Sequence, residues 1–566
     1  MFANLGVLFW SLVLAEKLEA QSPGQKAVCF LLLRLLFIQA IVLVMGMTGG
    51  LSAIPIETLG IVLLLGAIPL KKKPLLKFPL WPFGKMLAVL ACVLLLRSLL
   101  QVWFFCPYQG DALSYHLPKV AEWIQAGRFT REMGVDKLAT LPAGFELVET
   151  WWTVFLHHDV LIEMAGVEFL LLACVSVYAI ARSLGLSEKP ALLASLLYAV
   201  VPQASFQATS CLNDGPVAAV YLATVAMVLG KVDPVTLLIP VGLGAGLKGT
   251  FIYALPGIVL LFALRRRIVG PVPLRRVGLA LCALSLVVGG FWYARNLIWF
   301  GNPFYPVGKS GVELGMVRIQ VGPSLESLRS NISDLLGVMI LDRTKEYAAM
   351  GRNTSVWGPL FLGLSIPSFL YFSRIDREFR QTVIAFLVST ACVCLMIAPD
   401  GYISRFVLFL PALGCVAAVK AAVAHRVIAV PLAWAALFSF AHSLFPVDFR
   451  PKVALEVARQ SWRDRTYAPY ASLELPSGDA VAFWSGNDGH FLCYPLYRPD
   501  FSRRVVYFGD IEYEELVRKA KEMGIRQVVI ARNPQWRAHA FFELIKQGRA
   551  RQLGPVSYEL LESVKH

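Results

Sequence analysis

Long apolar blocks recur along the chain and constrain its fold more than any other feature. Most hold roughly 17–25 residues, the length that an α-helix needs to cross about 30 Å of hydrocarbon. The chain of 566 residues is 57% hydrophobic and only 16% charged, whereas soluble proteins carry about a quarter charged residues. We therefore predict a polytopic α-helical membrane protein. About fourteen transmembrane helices are expected, at residues 3–17, 27–48, 52–70, 83–105, 160–183, 190–208, 214–231, 234–247, 249–265, 277–297, 356–374, 380–398, 403–423 and 426–444.

Lysine and arginine in the short connections indicate how these spans are oriented. The most basic connections are "KKKPLLKFPLWPFGK" at 71–85 and "RRRIVGPVPLRR" at 265–276, and such connections stay on the cytoplasmic side. This distribution also accounts for the net charge of +15 without nucleic-acid binding. We predict a multi-pass protein of the cell (inner) membrane. Its outer face would carry a set of polar residues at span ends, namely Asp111, Asn213, Asp214, Lys248, Arg295, Asn296 and residues 400–405.

The cysteines and histidines give little support for a metal or haem centre. The ten cysteines contain no CxxC pair, and most lie inside apolar runs, where they serve as small hydrophobic residues. A disulfide among Cys106, Cys211 and Cys493 is left open. The first apolar segment lacks a basic n-region and a cleavage site, so we interpret it as a retained span.

Two regions on the predicted outer side are too polar to cross the membrane, at 106–159 and 295–355. The first contains two amphipathic segments, "LSYHLPKVAEWIQAG" and "GFELVETWWTVFLHH". Their apolar residues recur at helical spacing, and tryptophan favours the membrane interface. We predict that both are helices lying on the outer membrane surface.

The chain changes character after Phe445 and becomes charged and polar. The runs "DAVAFWSG", "RRVVYFGD" and "RQVVIARN" have the composition of strands, and "YEELVRKAKEMG" that of a helix. Strands alternating with helices favour a small α/β domain. The predicted organisation is thus N-terminal helices at 1–82, a membrane core at 83–445 and a soluble extracytoplasmic domain at 446–566.

Each candidate functional residue also has a simpler structural explanation. Asp111 precedes an apolar-periodic segment, as a helix N-cap does. Lysine and arginine at span ends commonly snorkel towards the interface, which would account for Lys248, Arg295 and Arg405. His116 by itself is more simply a structural hydrogen-bonding residue. The "HHD" run at 157–159 is a poor metal site, because two adjacent histidines on a helix do not face one ion.

The functional hypothesis depends on these residues together. An acid and three cations are expected at one face of the membrane, at the mouths of different spans, and ionisable residues at such depths are costly. A carboxylate can act as a general base, and the cations suit a phosphate. A sugar linked to a lipid phosphate fits both groups and needs no nucleotide. Consistent with this, the sequence contains no P-loop and no GxGxxG after a strand.

Several short motifs resemble those of GT-C glycosyltransferases, which use polyprenyl-phosphate sugars. The similarity is greatest to the bacterial branch near the protein O-mannosyltransferases and the aminoarabinose transferase of lipid A. The motifs appear in order between about residues 83 and 424 and read "GDALSYHLPKVAEWIQAGRF", "LPAGFELVETWW", "CLNDGPVAAVYLAT", "GLKGTFIYALP", "WYARNLIWFGNPFYP" and "SRFVLFLPALG". Each is short, and together they are fairly specific.

The resemblance implies an inverting glycosyltransferase with no cofactor. By analogy, Asp111 is the catalytic base, and Lys248, Arg295 and Arg405 bind the donor phosphate. Asp214 positions the sugar or the acceptor. The remaining predicted substrate-binding residues are Tyr115, His116 and Asn296.

The sequence also departs from the family pattern. Ala112 follows Asp111 where the protein mannosyltransferases have a second acid, and nothing resembles the metal-binding DxD of oligosaccharyltransferases. No obligatory metal is therefore expected. Two other functions stay open, a lipid or polysaccharide transporter or flippase, and a non-catalytic scaffold of a polysaccharide export system.

Overall fold

The computed structural model describes residues 1–18, 22–67, 85–130, 137–265, 276–307, 312–314, 317–319, 322–340, 357–358, 360–444, 459, 478–484, 493–508, 511–530, 535–554 and 557–561. The basic connections predicted at 71–85 and 265–276 lie outside this part of the chain apart from their end residues. The same holds for 446–477 apart from residue 459.

Three helices open the chain: α1 (Phe2–Lys17), α2 (Pro23–Thr48) and α3 (Ala53–Leu65). Helix α2 starts with a capping box, in which the side chains of Ser22 and Gln25 each accept from the other's backbone N–H. It ends at Gly49, whose φ of +82° is the left-handed conformation that glycine adopts without a Cβ clash. The ends of the longest N-terminal helix are thus encoded locally.

The following part of the chain is almost entirely helical. Its helices are α4 (Lys85–Phe104), α5 (Leu117–Ala126), α6 (Gly144–Val154), α7 (Met164–Ser183), α8 (Glu188–Ala199), α9 (Pro202–Gln207), α10 (Asp214–Leu229), α11 (Leu238–Leu247), α12 (Gly249–Arg265), α13 (Arg276–Phe300), α14 (Leu325–Ile340), α15 (Ile366–Ile375), α16 (Arg377–Met396), α17 (Ile403–Phe406), α18 (Phe409–Ala424) and α19 (Ala429–Leu444). Within the described ranges, π-helical turns lie at Ala112–His116 and Phe361–Ser365.

The helices support a multi-pass membrane protein. In the described ranges, five helical segments are long and apolar enough to cross a membrane: Pro23–Thr48, Leu87–Phe104, Asp159–Ser183, Val277–Phe300 and Arg377–Met396. Six further apolar helices are shorter. Each of the apolar segments found in the sequence contains helix. Whether each of them spans the membrane stays a prediction.

Both amphipathic segments of the first polar region are helical, as α5 and α6. Helix α6 differs from the expected surface helix, because only Trp152 among its residues is not buried. It packs on α2, α5 and α7, and the Trp151 indole N–H donates to Asn4 Oδ1 of α1 at 3.1 Å. The N-terminal helices therefore cover the side of α6 that the sequence pattern assigned to the membrane surface.

Small residues bring α11 and α13 into close contact. A Cβ added to Gly289 would lie 1.9 Å from the carbonyl oxygen of Gly242, and one added to Gly246 would lie 2.8 Å from Gly289 Cα. Glycine is required there because the two backbones touch. This packing fixes the end of α11, where Lys248 is located.

The C-terminal part contains β3 (Ala480–Trp484), β4 (Arg504–Phe508), α20 (Tyr513–Glu522), β5 (Gln527–Ile530), α21 (Gln535–Lys546), β6 (Ala550–Gln552) and β7 (Ser557–Leu560), and an earlier hairpin pairs β1 (Val312–Leu314) with β2 (Val317–Ile319). The C-terminal strands form a five-stranded mixed sheet of order β4-β3-β5-β7-β6. Strands β4 and β5 pair in parallel with β3, and the other pairs are antiparallel. The strands β3, β4 and β5 and the helix α20 confirm the elements expected from the sequence.

Candidate functional site

Asp111 lies at the start of the π-helical turn that leads into α5. Its side chain makes no capping hydrogen bond, and its own φ and ψ are helical. The carboxylate instead accepts a hydrogen bond from Arg405 Nη1, with Oδ2 at 3.0 Å. Capping, the structural alternative for this residue, is therefore not what its side chain does.

Asp111 belongs to a cluster of two acids and two cations. Arg405 Nε lies 3.5 Å from Asp214 Oδ2, and Lys248 Nζ donates to Asp214 Oδ1 at 2.6 Å. The Asp214 side chain is only 2% exposed, whereas that of Asp111 is 29% exposed. We call these four residues the site cluster. The structure thus joins four of the side chains that the sequence singled out.

Helix ends place the members of the site cluster. Asp214 is the first residue of α10, directly after Asn213. Lys248 separates α11 from α12 in an extended conformation, with φ −166° and ψ 145°. An isolated break of this kind turns the side chain away from the helix axis and towards Asp214. An ionisable residue among apolar helices is costly, so Lys248 at this break is a functional candidate.

Arg405 lies on the short helix α17, in a segment that α14 holds in place. Asn331 donates to the carbonyls of Cys394 and Ile397 at 2.9 and 2.8 Å, and its Oδ1 accepts from the Asp400 N–H at 3.0 Å. These bonds fix the backbone between α16 and α17. They are a part of the site that the sequence did not reveal, because Asn331 belongs to no charged motif.

An aromatic ring packs against both cations of the site cluster. Lys248 Nζ lies 4.9 Å and Arg405 Cζ 4.8 Å from the centroid of the Phe406 ring. The negative face of a ring attracts such cations. The positive charges of Lys248 and Arg405 are thereby held side by side, stabilised by the two carboxylates and by the Phe406 ring.

Beside the site cluster lies a buried ion pair that the sequence did not predict. Glu146 Oε1 accepts from Lys119 Nζ at 2.5 Å and from His116 Nδ1 at 2.7 Å. Burial opposes ionisation of Glu146, but Lys119 and His116 more than offset it and lower the pKa of the carboxyl to about 2. Burial in turn lowers the pKa of His116. His116 is thus a structural partner of Glu146, and Tyr115 packs against its ring at 4.3 Å between centroids.

A second buried acid, Glu149, lies one helical turn after Glu146 on α6. Burial, together with the charge of Glu146, raises the pKa of Glu149 well above its usual range. Neither acid attracted notice in the sequence, because both fall inside a segment assigned to the membrane surface. Their spacing of three residues, on the same face of a helix, was the available signal.

Arg295 and Asn296 lie in the last turns of α13 and make contacts of their own. The Arg295 guanidinium donates to the carbonyl of Thr140 and to Asn296 Oδ1, and stacks on Trp292 and Trp299. Asn296 Nδ2 donates to the same Thr140 carbonyl at 3.0 Å. In the described part of the chain these contacts join α13 to the turn before α6. A role of Arg295 and Asn296 on the substrate stays a prediction.

Metal ligands do not converge in the described ranges, where no group of three or more His, Cys, Asp and Glu side chains could hold an ion. His157 and His158 point to different partners, the Asp500 carbonyl and the Val160 N–H. All ten cysteines are free thiols, so Cys106, Cys211 and Cys493 form no disulfide.

The fold has counterparts among solved structures, although no family model and no curated protein sequence matches the chain. ArnT from Cupriavidus metallidurans, solved with bound undecaprenyl phosphate, superposes with a TM-score of 0.50 over 85% of this chain and 99% of that chain, at 12% identity. The archaeal oligosaccharyltransferase AglB from Archaeoglobus fulgidus, in complex with an inhibitory peptide and a dolichol-phosphate, gives a TM-score of 0.40 over 79% of this chain and 70% of that chain, also at 12% identity. The likeness to ArnT concerns the fold alone: the chain shares the overall architecture of ArnT, in agreement with the fold that the sequence motifs predicted.

Proposed function

We propose that the chain is an inverting glycosyltransferase that moves a sugar from a polyprenyl-phosphate donor to a hydroxyl group of a lipid, glycan or protein. The observation that carries the proposal is the site cluster, in which a partly exposed carboxylate and two cations meet at the ends of different helices. ArnT, whose fold the chain shares, binds undecaprenyl phosphate in its crystal structure. That supports a polyprenyl phosphate as the lipid part of the donor.

Lys248 and Arg405 are the proposed ligands of the donor phosphate. Arg405 Nε is buried and has no hydrogen-bond acceptor within the described residues, Asp214 lying 3.5 Å away in unfavourable geometry. A phosphate oxygen would supply this N–H with the acceptor that it lacks, and charge-assisted bonds from arginine to phosphate are strong. The arriving phosphate would compete with Asp111 for Arg405 and thereby release the carboxylate.

Asp111 is the proposed general base. The acceptor oxygen attacks the anomeric carbon as its proton moves to the Asp111 carboxylate. The bond between the anomeric carbon and the phosphate oxygen breaks, and its electron pair leaves with the polyprenyl phosphate. Lys248 and Arg405 stabilise the charge that develops there. The configuration of the sugar inverts because a single displacement occurs.

The other site residues have supporting roles in this proposal. Asp214 contacts both cations and would hold them in place as well as orient the sugar or the acceptor. Tyr115 and His116, close to Asp111 on the same turn, would line the substrate site. Arg295 and Asn296 would act on the donor from the α13 side, in addition to shaping the turn at Thr140.

The proposed setting is the outer face of the cell (inner) membrane, with about fourteen spans. The domain division at 82 and 445 is kept. Helix α3 ends at Leu65 and α4 starts at Lys85, and the apolar helix α19 ends at Leu444, before strand β3 starts at Ala480. The C-terminal sheet, with its own core around Trp484, Leu516 and Phe541, supports a soluble α/β domain. Its extracytoplasmic location follows from the positions of the basic connections.

A transporter or flippase and a non-catalytic scaffold are the alternatives. Neither function involves a proton transfer from an acceptor, so under both alternatives the Asp111 carboxylate does not act as a base. An assay of sugar transfer from a polyprenyl-phosphate donor by the purified chain separates both from the enzyme.

The decisive variant is Asp111→Asn, which preserves shape and removes the base. We expect transfer to fall by roughly 10²–10⁴-fold, with folding and donor binding near those of the parent. Asp376→Asn is the matched control. Asp376 is also ion-paired, to Lys420 at 2.5 Å, and lies at the opposite end of α16 from the site. Transfer by Asp111→Asn within a few-fold of the control would refute the mechanism.

A further inference from the structure

A short segment of the C-terminal part lies against the helix that follows Asp111. It comprises Cys493–Arg503, between β3 and β4, and we call it the docking segment. Its first half forms a 3₁₀ turn at Tyr494–Tyr497. Cys493, Tyr494, Leu496 and Tyr497 are all buried. These four side chains are therefore enclosed by the rest of the protein.

The docking segment is hydrogen-bonded along α5. Gln125 Nε2 donates to the carbonyls of Phe501 and Arg503, at 2.8 and 2.7 Å. The Tyr497 hydroxyl lies 3.0 Å from Glu122 Oε1. In both contacts the two residues are more than 370 positions apart in the sequence. They hold the second half of α5 on the C-terminal part.

The docking segment also reaches the turn that carries Asp111. Cys493 Sγ lies 3.8 Å from the Ser114 carbonyl oxygen and 4.0 Å from that of Leu113. Leu113 and Ser114 belong to the π-helical turn Ala112–His116. A π turn is rare and frequently occurs at functional sites.

The far end of the same polar region contacts the docking segment as well. The Asp159 N–H donates to the Pro499 carbonyl at 2.9 Å, and His157 Nδ1 lies 2.9 Å from the Asp500 carbonyl. The Tyr494 hydroxyl lies 3.4 Å from Asp159 Oδ2. Both ends of the region between α4 and α7 are therefore attached to one short stretch of chain.

We propose that the docking segment is a positioning element for Asp111. It fixes α5 and the π-helical turn, and so sets where the carboxylate stands relative to Lys248, between α11 and α12, and Arg405 on α17. The inference rests on the proposed function, since it assigns the C-terminal part to the geometry of that site. It predicts that loosening the docking segment slows the chemical step and leaves donor binding intact.

The test combines Gln125→Ala with Tyr497→Phe in the full chain. Transfer is expected to fall by about tenfold or more, since a misplacement of about 1 Å can cost about 100-fold. Affinity for the polyprenyl-phosphate donor should stay unchanged. Arg551→Ala is the matched control, because it breaks an exposed ion pair with Glu559 in the C-terminal sheet, outside the docking segment.

A double-mutant cycle separates positioning from general destabilisation. In the Asp111→Asn background the Gln125→Ala/Tyr497→Phe pair should cause little further loss of the residual rate, because the group being positioned is gone. An equal fold-loss in both backgrounds, or no loss in the parent, would overturn the inference. If the pair does not fold, Gln125→Ala alone is measured in the same cycle. Parental transfer by Asp111→Asn would instead refute the proposed function, so the two failures are distinguishable.

Discussion

The buried pair of Glu146 and Lys119 gives the sharpest prediction about stability. The side chains are 0% and 1% exposed, and the Glu146 carboxylate also accepts from His116. The substitution Glu146→Gln keeps the size of the side chain and removes its charge. Lys119 then remains buried opposite a neutral amide, with water unable to reach it.

Two routes give the size of the effect. Removing one partner of a buried ion pair typically destabilises a protein by about 3–5 kcal/mol. The pKa of Glu146 falls from 4.5 to about 2 in the folded protein, which corresponds to about 3 kcal/mol of stabilisation of the charged form. Glu146→Gln should therefore lower the free energy of unfolding by about 3 kcal/mol.

Unfolding of the detergent-solubilised protein by heat or denaturant measures this loss of stability. Because the pKa of Glu146 is lowered on folding, its contribution is fully present above the unfolded value of 4.5 and is lost as the pH falls towards 2. The parent should lose this stability between about pH 5 and pH 2, and Glu146→Gln should not. The double variant Glu146→Gln/Lys119→Met removes both charges and should recover much of the loss. A free energy of unfolding of Glu146→Gln within about 1 kcal/mol of that of the parent would refute the reasoning, because this is a small change for a buried pair.

Two further predictions concern the donor and the orientation. Arg405→Ala should weaken binding of the polyprenyl-phosphate donor by about tenfold or more, because a charge-assisted contact contributes roughly 1.5–3 kcal/mol. Arg265→Ala, which breaks an ion pair with Glu378, is the control. Unchanged donor binding by a monodisperse Arg405→Ala variant would show that Arg405 does not bind the donor phosphate. A cysteine placed at the exposed Ser502 should react with a membrane-impermeant reagent in intact cells, with the parent as background, and protection until lysis would contradict the predicted orientation.

The sequence by itself determined the secondary structure and the candidate residues. Apolar length predicted helix in each apolar segment, and the alternation in "DAVAFWSG" and "RRVVYFGD" predicted strands β3 and β4. These patterns are local, since a helix of about 20 residues spans the hydrocarbon whatever surrounds it. Charge is costly near a membrane, so Asp111, Lys248 and Arg405 stood out as functional without knowledge of their contacts.

Only the tertiary structure decided which of these residues meet. Asp111 and Arg405 are separated by 294 positions. No local pattern predicts that the turn at Asp111 and the short helix α17 lie next to each other. The same applies to Glu146, whose place between Lys119 and His116 depends on the packing of α5 against α6. An amphipathic pattern reports that one face of a helix is apolar and leaves open whether protein or lipid covers it. Contacts between distant segments are set by the packing of the whole chain, which is why the site's neighbours, unlike its helices, emerged only from the fold.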